Sequence, residues 1–285
     1  MDYSKRISRR SFIRTVVITA GAASTGLGLS GCNDDDDTSA SISVLFNHGV
    51  ASGDPLSDAV VLWTRVTPED ASAAAGETIN VTVEVASDEA FADVVATGTA
   101  TTNEAVDYTV KFDVTELSAG TGYFYRFGVG EAVSRVGKTK TLPVGAVTEA
   151  KLAVVSCANF PAGYFNVYDA IAQRDDLDAL VHLGDYIYEY PADGYASDNA
   201  EALGRLSLPA TELLMLDDYR TRYAQYRTDT QLQAAHASLP FIIVWDDHEI
   251  ANDAWTDGAE NHSTDEGDYA ERKAAAIQAW YEWLP

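Results

Sequence analysis

Three short apolar runs, each ending abruptly in polar residues, constrain the fold of this chain more than any other feature. They are Lys151-Leu-Ala-Val-Val-Ser-Cys157-Ala-Asn159, Ala179-Leu-Val-His-Leu-Gly-Asp185-Tyr-Ile-Tyr188-Glu189 and Phe241-Ile-Ile-Val-Trp-Asp246-Asp247-His248-Glu249. Continuous apolar runs of this length, separated by helical patterns, predict central strands of a parallel sheet, because strands covered on both faces need no polar alternation. Ligands of open α/β sheets bind beyond the carboxyl ends of the strands. All three runs place their polar groups there. A thiol, carboxylates, a phenol and an imidazole are therefore expected to converge on one crevice, as a metal site.

The residue types suit that chemistry. Gly184 lets the backbone turn at the strand end, and Asp185 then offers two oxygens, enough to bridge two cations. Tyr188, three residues on, reaches the same place. Free tyrosine ionises near pH ~10, so a phenolate there needs a strongly electropositive neighbour such as Fe³⁺. Cys157 supplies a second anionic ligand, since a metal lowers the thiol pKa. Asp247 is a hard oxygen ligand suited to Ca²⁺, Mg²⁺ or Mn²⁺. His248 can bind metal, contact a phosphate or protonate a leaving oxygen. Taken singly, each residue has an ordinary structural role: the aspartates as strand-end caps, Cys157 as a small core hydrophobe, Tyr188 as packing. Taken together they favour the metal, because a dry crevice would leave several carboxylates unpaired.

The rest of the chain frames this site. Residues 1–32 read as an address and are set aside from the fold. Ser8-Arg9-Arg10-Ser11-Phe12-Ile13 looks like a twin-arginine export signal, and the apolar stretch Val16 to Leu29 is too short to span a bilayer that takes ~20 residues. Leu29-Ser30-Gly31-Cys32 looks like a lipobox, with Cys32 as the lipidation site and membrane anchor. Residues 33–43 read as a disordered acidic tether. Beyond the N-terminus the chain has no basic patch and its net charge is −25, which argues against nucleic acid as a partner.

From 44 to 143 the pattern changes to period two. Val60 to Val66, Ile79 to Ala86, Tyr108 to Val114 and Gly122 to Gly128 read as strands, punctuated by turn clusters such as Ser52-Gly-Asp-Pro55. About 100 residues of this kind predict an all-β sandwich, immunoglobulin- or fibronectin-III-like. His48 and Asp54 sit beside turn residues and are read as structural. Residues 150–285 carry the α/β pattern. Helices are expected from Phe165 to Gln173, opening at Thr211, from Asp217 to Arg227, from Thr230 to Ser238 and from Asp268 to Trp283. Tyr219, Tyr223 and Tyr226 fall on one face of the third and read as core. Three parallel strands make a thin sheet for so many apolar runs, so this α/β domain is expected to be incomplete and the chain cut short.

With these motifs in order, the sequence resembles the PhoD-like alkaline phosphatases and phosphodiesterases of the calcineurin-like metallophosphoesterase superfamily. The resemblance rests on His48-Gly-Val-Ala-Ser-Gly-Asp-Pro55, Val61-Leu-Trp-Thr-Arg65, Ser156-Cys157, Gly184-Asp-Tyr-Ile-Tyr-Glu189, Tyr219-Arg-Thr-Arg-Tyr223 and Trp245-Asp-Asp-His-Glu249, together with the export signal. It implies Fe³⁺ and Ca²⁺ as cofactors. It matches Cys157, Asp185 and Tyr188 to the iron ligands, with Asp185 also bridging. It matches Asp247 to a further metal ligand and His248 to the phosphate-side histidine. Asn159, Asp246 and Asn252 are possible near-site residues. Asn261-His262 reads as a solvated polar loop. The implied reaction is in-line attack by a metal-bound hydroxide on extracellular phosphate esters, by an enzyme exported to the periplasm or cell surface. The resemblance also implies further Asp and His ligands beyond residue 285, so the 285-residue chain is expected to be inactive. Two alternatives remain open. One is a non-catalytic surface lipoprotein with a binding sandwich and a remnant metal-binding domain. The other is a purple-acid-type phosphatase, expected to carry Gly-Asn-His where this chain has Asp246-Asp247-His248.

Overall fold

The computed structural model describes residues 42–285. The export segment, Cys32 and the start of the tether lie outside the described residues. In the first region the strands are β1 (Val50–Gly53), β2 (Val60–Arg65), β3 (Ile79–Ala86), β4 (Val94–Thr102), β5 (Thr109–Val114), β6 (Gly122–Val129) and β7 (Gly137–Lys140). Period two is visible in the burial. Ile79, Val81, Val83 and Val85 of β3 are buried, while Asn80 and Thr82 between them are exposed. One sheet runs β7-β6-β3-β4, with Ala132–Val133 added on β6. It faces β1, β2 and β5 across a core of Val50, Val60, Leu62, Val81, Val83, Val110, Tyr125 and Phe127. The region is thus a sheet-rich sandwich. Strand β4 has no clear signal in the sequence. It is a Thr-, Ala- and Gly-rich edge strand whose side chains are mostly exposed, so little hydrophobic alternation marks it.

The second region supplies β8 (Leu152–Val155), β9 (Ala179–His182) and β10 (Phe241–Ile243), all parallel. They do not form a separate sheet. The order is β8-β9-β10-β1-β2-β5, with β10 joined to β1 in parallel at Phe241 and Gly53. Asp54 N–H donates to Phe241 O at 3.2 Å just beyond that pair. The His48 to Pro55 motif therefore works as the seam that extends the parallel strands into the sandwich.

Helices α1 (Asn166–Ala172), α2 (Leu216–Arg227), α3 (Thr230–Ser238) and α4 (Tyr269–Trp283) pack with Leu180, Phe241 and Ile243 into a second core. Asp229 caps α3 by accepting from Gln231 and Leu232 N–H, and Asp268 caps α4 from Ala270. Tyr219, Tyr223 and Tyr226 are fully buried, as their spacing predicts. The helix expected to open at Thr211 does not form; residues 211–215 are irregular and α2 begins at Leu216. The reason is local. Asp218 accepts Met215 N–H at 2.8 Å, which sets the start there, and Leu213 N–H is already taken by Glu189 O. A second difference concerns the sheet. Ala153 and Val155 pack on the core, but Leu152 and Val154 are exposed, as are Leu183 and Val244. Among the described residues, the parallel strands are covered on one face.

Candidate metal centre

Parallel register aligns Val155 with His182 and His182 with Ile243, so the three polar tails leave the sheet at one level. They are then tied together. Cys157 N–H donates to Gly184 O at 3.1 Å and Ala158 N–H to Asp185 O at 2.8 Å. A Cβ on Gly184 would lie 2.4 Å from Asp246 N, and its φ is +107°. Only glycine allows the second and third tails to touch there. Cys157 (φ +59°) and Asp185 (φ +54°) are also left-handed. Each such non-glycine conformation costs about 1–3 kcal/mol and persists only when its surroundings impose it.

The side chains converge on Asp185, which is buried. Its Oδ2 accepts from Cys157 Sγ at 3.3 Å and from Tyr188 Oη at 3.2 Å. Ligand atoms of Asp185, Asp247 and His248 all lie within 4.8 Å of one another. Five residues from three strand ends therefore meet, as the sequence motifs predict. Burial, with Asp185 and Cys157 beside it, holds the Tyr188 phenol far above its ordinary value. Without a cation the phenol keeps its proton and spends it on Asp185.

His248 is oriented by a residue that the sequence reading left as the last letter of a motif. Glu189, fully buried, takes His248 Nδ1 at 2.8 Å on Oε2. On Oε1 it accepts Asn252 N–H at 2.7 Å and Asn261 Nδ2 at 2.8 Å. Burial opposes charge on His248, but Glu189, with Asp185 and Asp247 nearby, raises its pKa above the ordinary value. Burial likewise works against the Glu189 charge, and the donors from His248, Asn261 and Asn252 outweigh it and lower the pKa. The Tyr188 backbone is pinned in turn by buried Arg222, which donates to the carbonyls of Tyr188, Tyr190 and Leu208. His182, at the end of β9, accepts Gly184 N–H on Nδ1 at 3.2 Å and meets Tyr168 Oη through Nε2 at 2.8 Å. Glu249 is nearly inaccessible; burial, with Asp185 nearby, pushes its carboxyl up to about 7 against three backbone N–H donors.

The near-site residues separate. Both amide atoms of Asn159 are buried without a partner. Asp246 is exposed, with its carboxyl raised by partial desolvation and by Asp185 and Asp247. Asn252 serves Glu189 through its backbone, while its side chain turns to Glu260. The reading of Asn261-His262 as solvated is corrected. Asn261 reaches Glu189, and the His262 ring packs on Tyr269 beside Arg272. Helix α4 brings Arg272 to the loop, a long-range contact that a polar tract does not advertise.

A thiol, a phenol, two carboxylates and an imidazole form a mixed soft and hard donor set, suited to a transition metal beside a hard divalent cation. Asp185 Oδ1 is buried and has no hydrogen-bond partner. An orphaned carboxylate oxygen at the centre of the cluster is what a cation would satisfy. The residues fit a metal site.

The family described as PhoD-like phosphatase matches residues 152–285, and that described as PhoD-like phosphatase, N-terminal domain, matches residues 31–143. Alkaline phosphatase D of Bacillus subtilis (strain 168) is 42% identical over 244 residues, which cover 84% of this chain and 41% of that protein. A solved structure described as the structure of PhoD superposes with a TM-score of 0.77 at 39% identity, covering 88% of this chain and 47% of the other. The chain spans less than half the length of these relatives.

Proposed function

The chain belongs to the PhoD-like phosphatase family, and from that premise we propose that it is the metal-binding part of a phosphoric ester hydrolase, of alkaline phosphatase or phosphodiesterase type. The observation that carries this reading is the meeting of Cys157, Asp185, Tyr188, Asp247 and His248 at three aligned strand ends. Cys157, Asp185 and Tyr188 would hold Fe³⁺, with Asp185 shared, and Asp247 would serve Ca²⁺. Such cations, when bound, neutralise charge that builds on the phosphoryl oxygens. The chain's own residues do the rest. Glu189 engages Nδ1 of His248 and so leaves Nε2 to carry a proton to a phosphate or leaving-group oxygen. Tyr188 and Tyr190 pack against the His248 ring, with centroids 4.2 and 5.5 Å away, and hold it in that pose. The same proposal takes the enzyme through the twin-arginine pathway to the periplasm or cell surface, with a lipid anchor on Cys32. The N-terminal motifs support that part.

The test is metal analysis of the purified 285-residue chain beside a version extended to the length of its relatives, with assays of both on p-nitrophenyl phosphate and bis-p-nitrophenyl phosphate. Iron and calcium uptake is expected, together with a visible tyrosinate-to-iron band that Tyr188→Phe removes. His248→Ala is expected to retain the band and, in the extended form, to lose turnover by about 10²–10⁴-fold, the range for a missing general acid. A chain that takes up neither metal sinks the reading.

A further inference from the structure

Glu249 lies outside the expected ligand set, yet it is 1% exposed, more deeply buried than any member of that set. Its carboxylate accepts three backbone N–H groups. Oε2 takes Asp185 at 3.1 Å and Asp246 at 2.9 Å, and Oε1 takes Tyr186 at 2.7 Å. Two of these donors belong to the loop that follows β9 and one to the loop that follows β10. The turn at Gly184 has carried the first pair out of the sheet ladder, so they need an acceptor from elsewhere. The loops already touch at Gly184 and Asp246, and Asp185 is held left-handed between them.

We propose that Glu249 is a positioning residue of the metal centre: by clasping the backbones of both loops it sets Asp185 against Asp247 and His248 without touching a ligand atom. The proposal rests on the phosphoesterase reading and deepens it. The geometry explains why a carboxylate is required. Three converging N–H donors spread over two oxygens need an acceptor at both positions. A glutamine has the same shape but presents an NH₂ group at one of them, so either the Tyr186 N–H or both the Asp185 and Asp246 N–H groups lose their acceptor. No other described side chain accepts from both loops.

The experiment titrates the full 285-residue chain with Fe³⁺ supplied as its citrate complex, reading affinity and the tyrosinate band well below the melting temperature. Glu249→Gln is expected to weaken iron binding by about 10–100-fold, the range for residues that support metal ligands, and to shift or weaken the band. Leu62→Ala, a sandwich-core variant, is the control: it is expected to melt earlier and bind iron as the wild type does. Glu249→Asp keeps both oxygens on a shorter arm. It is expected to lose less affinity than Glu249→Gln, and it replaces that variant if Glu249→Gln does not fold. Wild-type affinity and band in the Glu249 variants overturn the proposal. So does an equal loss of iron binding in Leu62→Ala, which reduces Glu249 to a general support. No iron uptake by the wild-type chain overturns the metal reading itself, and this inference with it.

Discussion

The sandwich core and the strand-end crevice bury their residues on opposite terms. In the sandwich, Val81, Val83, Leu62 and Phe127 fill the space between two sheets. In the crevice the buried groups are Asp185, Glu189, Glu249 and His248, and Cys157 and Asp185 carry left-handed backbones. The first arrangement lowers the free energy of the folded chain by removing apolar surface from water. The second spends part of that gain to hold charged groups within reach of one another. The glutamates and Arg222 reduce the cost because their partners are mostly backbone groups already in place.

The sharpest way to break this comparison is at Asp185. Asp185→Asn is expected to lower iron affinity by more than the ~100-fold upper range for supporting residues, or about 2.7 kcal/mol. The metal-free melting temperature should hold or rise, because the repulsion with Asp246 is relieved. Calorimetry and iron titration read the two quantities. A metal-free loss as large as that of a core deletion would mean that the crevice is stabilising after all.

Leu62→Ala provides that core deletion. With Leu62 fully buried, denaturant unfolding should show a loss of about 2–5 kcal/mol with iron affinity unchanged. Coupled loss of iron binding would instead mean that the shared sheet transmits core damage to the site.

A third and smaller effect concerns pH. Burial holds His182 near 4; burial, with Arg65 and Arg227 nearby, holds His48 near 3. Both folded values lie below the unfolded value of about 6.5. The stability they allow is therefore complete above pH 6.5 and lost as pH falls toward 4. At pH 5 each should cost about 2 kcal/mol, since the unfolded state binds the proton first. Thermal melts between pH 7 and 4 check this, and a flat profile would show that these rings are not held neutral. Neither ring is an expected metal ligand, so the effect belongs to the folded frame.

Much of this was legible beforehand. Cys157, Asp185, Tyr188, Asp247 and His248 each follow an apolar run, and strand-end placement brings them to one level. The tyrosine stripe of α2 follows from its spacing. Glu189 and Glu249 were visible only as letters that end their motifs. Their work is to accept N–H groups and an imidazole across contacts distant in sequence, and no period records that. Asn261 was misread for the same reason, since a polar loop beside a buried carboxylate looks in sequence like one beside water. Thr211 failed as a helix start because Asp218 captured Met215 instead.

The sequence by itself determined where strands end and which donor atoms stand there, because both follow from short-range hydrophobic pattern and chemistry. Only the tertiary structure decided that β1, β2 and β5 share a sheet with β8, β9 and β10. It also decided that two glutamates lock the site, and that one face of the parallel strands stays open among the described residues. These depend on pairings between distant segments, and backbone hydrogen bonds are blind to the side chains that would have announced them.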